Sequence, residues 1–94
     1  MFLPEDINNL YNNFADKVFQ ENILSKKTKE LIALSCSVIV DCVPCIDYHY
    51  KKAVEGGALK EEIAEALAIS MAVIGGSKRA KYTKQINDLE QKLK

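Results

Sequence analysis

The sequence predicts an all-α fold: a compact bundle of about five helices in one domain, residues 1–94. Apolar residues recur at spacings of three and four rather than two, the period of a helix face. Glycine (4) and proline (2) are too few to punctuate a set of short strands. Those that occur fall where helices should start and stop.

Pro4 followed by Glu5 and Asp6 reads as a helix start, with the proline ring pre-setting φ and the carboxylates meeting the positive helix end. Ile7, Leu10, Tyr11, Phe14 and Val18 should form its buried stripe. Ser25 can cap a second helix from Lys26 to about Val40, because its hydroxyl can accept from a free backbone N–H one turn on. The second half of that helix, LIALSCSVIV, is uncharged on every side and should be buried all round as the core of the fold. Pro44 suits the first position of a third helix, which should end at Gly56 and Gly57, where glycine can take the left-handed cap conformation. A fourth helix is expected from about Lys60 to Ile74, closing at Gly75 and Gly76, with Leu59 a poor cap at its start. Ser77 would then cap a fifth, whose stripe of Tyr82, Ile86, Leu89 and Leu93 is narrow enough to pack against one neighbour.

Composition removes several function classes. The 13 basic residues balance 13 acidic ones and are spread along the chain, so there is no basic footprint for a nucleic acid. The strongest apolar run, Leu31 to Val40, is broken by Ser35 and Ser37 and falls short of the roughly 20 residues a bilayer requires. No basic-then-apolar leader opens the chain, which points to the cytoplasm and away from membranes. Three cysteines there argue against a disulfide scaffold, since thiols in that compartment are kept reduced. A domain this short and this apolar is expected to cover part of its surface against copies of itself, as a homo-oligomer.

The chemistry is concentrated between residues 30 and 49. Asp41-Cys42-Val43-Pro44-Cys45-Ile46-Asp47-Tyr48-His49 contains CxxC followed by xxxH. Two cysteines three positions apart at a helix start are close enough to close a disulfide. The free N–H groups and dipole of that helix end favour a thiolate. Cys45 and His49 are four residues apart, on one helical face, so the imidazole can take or return the thiol proton. Glu30, twelve positions before Cys42, would be folded back towards the dithiol by a helix hairpin and could pass a proton through His49.

From Ser25 to about Gly76 the chain resembles the alkylhydroperoxidase AhpD branch of the carboxymuconolactone decarboxylase family. That branch carries a Glu, eleven residues, then CxxCxxxH, which falls on Glu30, Cys42, Cys45 and His49 without a gap. The resemblance implies an all-helical, AhpD-like fold of the single-domain type that assembles into homotrimers or homohexamers. It implies a thiol-dependent peroxidase in antioxidant defence, with a redox-active Cys42–Cys45 disulfide and no metal or organic cofactor. The mechanism it implies has Cys45 attack a hydroperoxide, Cys42 resolve the sulfenic acid, and Glu30 and His49 relay protons. A dithiol donor such as a lipoyl-bearing or thioredoxin-like protein would reopen the bridge, with a peroxiredoxin as a further electron acceptor. Pro44 stands where some peroxidase members carry a histidine.

Other readings of the same residues stay open at this level. Cys42, Cys45 and His49, with Glu30, could be ligands of a structural zinc site. Glu30 could be a solvated residue beside Lys26, Lys27 and Lys29, and Cys36 reads as a core thiol. The dithiol could serve protein disulfides or electron transfer instead of peroxides. A non-redox, decarboxylase-like site could use Glu30 and His49 alone.

Overall fold

The structure is a computed structural model that describes residues 1–94. Its four helices are α1 (Glu5–Val18), α2 (Lys26–Ile39), α3 (Val43–Glu55) and α4 (Lys60–Lys92), with no strand. The all-helical class holds, but the expected fourth and fifth helices are one. α4 runs through Gly75, Gly76 and Ser77 without a break. Each glycine lowers helix propensity by about 1 kcal/mol, but neither takes the left-handed φ that a helix-ending cap uses, and the helical backbone continues through both.

The two tight connections are built alike. After α2, Asp41 takes a left-handed φ of 57°, its N–H donates to Val38 O and the N–H of Cys42 donates to Ser37 O. After α3, Gly57 takes φ 94°, its N–H donates to Val54 O and the N–H of Ala58 to Ala53 O. Both patterns are Schellman closures, which satisfy the last carbonyls of a helix and reverse the chain at once. Glycine fills the second left-handed position at no steric cost, and aspartate is among the few side chains that tolerate the first.

Helix starts follow local chemistry. The Ser25 hydroxyl accepts from the N–H of Thr28 at 3.1 Å, as its position suggested. Pro44 lies at the second position of α3 rather than the first, with Cys42 as the cap. Leu59 has no side-chain acceptor for α4, and Glu62 compensates by accepting from the Leu59 N–H at 2.8 Å. That backbone N–H, then the ammonium of Lys27 at 2.9 Å, hold the Glu62 carboxyl below its ordinary range.

α2 is the centre, packed against α3 on one side and the first half of α4 on the other. Leu34, Ala53, Ala58 and Ile63 form the core, with Leu31, Ile46 and Leu67 packed around it. Ser35 and Ser70 let α2 and α4 approach closely: the Ser35 hydroxyl donates to Ala66 O at 2.8 Å, and Ser70 donates to Ser35 O at 2.9 Å. Two expectations fail here. LIALSCSVIV is not buried all round, because Ile32, Cys36, Ile39 and Val40 are exposed. The α1 stripe is not buried within the protomer: Ile7, Leu10, Tyr11, Phe14 and Val18 all face outward, and α1 contains no buried residue. Beyond Ile74 every residue of α4 is exposed, so its C-terminal half projects from the body. No helix is long and apolar enough to cross a membrane.

Candidate active site

The α2–α3 hairpin brings together the residues that the sequence singled out. Its turn lies between Ile39 and Val43, so Glu30 on α2 and His49 on α3 stand at similar distances from the bend. Their side chains meet, with His49 Nδ1 2.7 Å from Glu30 Oε2. Glu30 is 2% exposed, and His49 is its only side-chain partner. A buried carboxylate is tolerated when it is hydrogen-bonded in this way, and removing the imidazole would leave it without a side-chain partner. With the carboxylate ionised, Nδ1–H donates to it and Nε2 keeps the lone pair. The pair therefore presents a base whose tautomer is set from behind.

Cys42 and Cys45 open α3 and are joined by a disulfide across a Cα–Cα distance of 5.2 Å. Cys42 is the N-cap, and its Sγ accepts from the N–H of Cys45 at 3.3 Å. On reduction, the Cys42 sulfur would keep that donor while Cys45 lies in the first turn, where the helix dipole favours negative charge. The two sulfurs differ in what they face. Cys45 and His49 line one apolar trough of about 560 Å³, together with Val18, Phe19, Ile32 and Val40, whereas Cys42 is not on its wall. The opposite side of His49 looks into a more polar cleft of about 410 Å³ with Asp16, Lys26, Glu30 and Lys52.

The imidazole plane is fixed by aromatic neighbours as well. Phe19 stacks on it, with centroids 5.3 Å apart and planes 23° from parallel, and Tyr48 meets it edge-on at 5.0 Å. Phe19 is held in turn by Lys29, whose ammonium donates to the carbonyls on either side of it, Val18 O at 2.7 Å and Gln20 O at 2.6 Å. Lys29 thus closes the end of α1 from α2, where a cation meets the negative end of the helix dipole. No set of three His, Cys, Asp or Glu side chains converges as a cluster able to hold a metal ion.

The carboxymuconolactone decarboxylase family model matches residues 5–86, from the start of α1 into the projecting half of α4. The chain belongs to the carboxymuconolactone decarboxylase family. A crystal structure from Methanobacterium thermoautotrophicum superimposes with a TM-score of 0.80 at 33% identity, covering 90% of this chain and 97% of the other. A family member from Thermotoga maritima, whose description suggests a part in an antioxidative response, gives a TM-score of 0.72 at 30% identity and covers 96% and 99% of the two chains. The uncharacterized protein 4 in the cox locus of Paracoccus denitrificans is 34% identical over 74 residues, 79% of this chain and 67% of the relative. An uncharacterized protein of Cupriavidus necator is 37% identical over 57 residues, 61% of this chain and half of the relative.

Within this member of the family, Glu30, Cys42, Cys45 and His49 form one continuous arrangement, and Glu30 is not the solvated residue its lysine neighbours allowed. Cys36 departs from the sequence reading: it is exposed rather than a core thiol, and it lines both the trough and a second apolar groove between α2 and α4. Sequence reasoning missed Lys29 and Phe19. Lys29 reads as one more surface lysine in SKKTKE, and its reach to α1 is a tertiary contact with no local signature. Phe19 falls one residue beyond the α1 stripe, a displacement that could have marked it as facing something other than the stripe's partner.

Proposed function

We propose that the chain is a thiol-dependent peroxidase that cycles between a Cys42–Cys45 dithiol and disulfide, with His49 and Glu30 as its proton relay. The observation that carries this reading is that Cys45 shares a trough with His49 while the Glu30 carboxylate holds the far side of the same imidazole at 2.7 Å. In the reduced protein, His49 Nε2 takes the Cys45 proton, and the thiolate attacks the outer oxygen of a hydroperoxide. The O–O bond breaks, Cys45 becomes a sulfenic acid, and the departing alkoxide takes the proton from the imidazolium to leave as an alcohol. Cys42 then displaces hydroxide from the Cys45 sulfur, which leaves as water after protonation, and the disulfide forms. A dithiol reductant restores both thiols by two exchange steps and is itself oxidised to a disulfide. Glu30 stabilises the imidazolium that exists between these transfers.

Two further features support the assignment of Cys45 as the attacking sulfur. It faces the apolar trough, where a peroxide would lose water, and it lies on the same helical face as His49. Cys42, at the cap, is placed to resolve. The reading also agrees with the antioxidative response suggested for the Thermotoga relative.

The test is hydroperoxide consumption by the full chain with a dithiol reductant. Wild type should turn over, Cys45→Ser should lose at least 100-fold, and Cys42→Ser should react once and stop. Equal rates for wild type and Cys45→Ser would remove the peroxidase reading. Turnover of a protein disulfide without hydroperoxide consumption would assign the same dithiol to thiol–disulfide exchange instead.

A further inference from the structure

Phe19 behaves unlike the α1 stripe that precedes it. Leu10, Phe14 and Val18 are exposed, whereas Phe19 is half-buried. One helical step, about 100°, separates it from Val18 and turns its ring away from the stripe and onto His49. The Phe19 N–H still donates to Ala15 O at 3.1 Å, so the residue continues the helical path, and Lys29 ties the carbonyls on both sides of it to α2. The ring is therefore held by backbone that is anchored before and after it.

Two cavities of different character meet at His49. The trough of about 560 Å³ holds Cys45 among Leu24, Ile32 and Val40, and its one charged wall residue is Lys29, whose ammonium is taken up by the two carbonyls. The cleft of about 410 Å³ holds Glu30 among Asp16, Gln20, Lys26 and Lys52. Phe19 and His49 are the two residues that line both. Their stack, with centroids 5.3 Å apart and planes 23° from parallel, is thus the wall between an apolar side and a polar one. Cys45 stands on the first side and Glu30 on the second.

We propose that Phe19 is a positioning residue that acts through His49: its ring walls the Cys45 side of the site off from the polar cleft, so that the proton held by the imidazole is delivered into the trough. This rests on the relay proposed above. In that cycle His49 takes one proton from Cys45 and gives it to the departing alkoxide, so none is exchanged with water. Water admitted from the cleft would compete for the proton and hydrate the Cys45 thiolate, which a closed site avoids. An aromatic face at this distance also attracts the imidazole while it is a cation. The wall requires a flat ring over the imidazole, and apolar bulk alone does not supply one.

The test reads the wall and the cycle separately. In the reduced chain carrying Cys36→Ser and Cys42→Ser, Cys45 is the sole thiol. Its thiolate displaces iodide from iodoacetate and from iodoacetamide, but the charged reagent must shed water to enter an apolar trough. Phe19→Ala opens the hydrated cleft to that reagent and should raise the iodoacetate-to-iodoacetamide rate ratio at least about fivefold. Phe19→Tyr keeps the ring and should keep the parent ratio. With all three cysteines present, Phe19→Ala should slow single-turnover consumption of an organic hydroperoxide about tenfold, and Phe19→Tyr should restore it. Circular dichroism with a cooperative melt checks that each variant is folded. If Phe19→Ala fails that check, Phe19→Leu, apolar but without a ring, replaces it and should move both readouts in the same directions. An unchanged alkylation ratio in a folded ringless variant, a hydroperoxide rate indifferent to the ring, or an equal loss in Phe19→Tyr would overturn the proposal. A raised ratio in a protein whose wild type consumes no hydroperoxide would support the wall and count against the peroxidase reading alone.

Discussion

The α2–α3 hairpin with the first half of α4, and the pair formed by α1 and the rest of α4, are both helical and both rich in apolar residues, yet they are held by different means. In the first region small residues allow close approach, Leu34 and Ala53 are fully buried, and two Schellman turns fix the chain reversals. In the second region no side chain is buried at all. Amphipathic periodicity is therefore a statement that a face will be covered, and it does not say by what. The groups with chemistry sit on the rigid region, while the region left open is the one available to a neighbour.

The sharpest way to break this contrast is to remove a core contact. Leu34→Ala should cost about 2–5 kcal/mol, because the lost methyl groups leave a cavity in a fully buried site. Phe14→Ala, at an exposed position of α1, should change the unfolding of the isolated protomer by less than about 0.5 kcal/mol. Urea titrations of both variants in dilute solution check the pair, and equal losses would mean that α1 belongs to the core.

The next largest effect falls on the relay. Glu30→Gln keeps the shape but not the charge behind His49, and the peroxidase rate should fall about 100-fold. Lys29→Met should leave Cys45 and His49 in place but release the end of α1, lowering the rate about tenfold while the resonances of Phe19 and His49 lose their mutual ring-current shifts. Retention of those shifts would show that Phe19 is positioned without Lys29.

These residues also mark how far the sequence could be read. Ser25, Gly57 and the cysteine pair were legible because a cap, a left-handed turn and a CxxC each act over six residues or fewer. Glu30 was legible only in combination with the later CxxCxxxH, since the hydrogen bond that gives it meaning spans 19 residues. The continuity of α4 was hidden because Gly75 and Gly76 carry a stop signal that nothing in the structure uses: a Cβ on either would meet no atom within 4 Å. Lys29 and the exposure of α1 were hidden because both depend on where α1 lies relative to α2.

A smaller effect tests the hairpin turn. Asp41→Gly relieves a left-handed backbone at the bend that carries the disulfide and should raise stability by about 1 kcal/mol in a thermal melt. Asp41→Val should lower it. The smallest effect concerns pH. Because Glu62 has its carboxyl lowered in the folded chain, its contribution is complete above the ordinary carboxylate value and is lost as pH falls through the folded one. Glu62→Gln should therefore flatten the acid side of the stability curve and leave the neutral side with the same slope.

The most direct measurement is to mix the reduced protein with an organic hydroperoxide in a stopped-flow instrument and follow thiol loss and alcohol formation together. One alcohol released for each Cys42–Cys45 disulfide formed, at a rate slowed by Glu30→Gln and unchanged by Cys36→Ser, is the predicted result. Alcohol formation without the disulfide, or a reaction that needs Cys36 and ignores Glu30, would contradict the assignment.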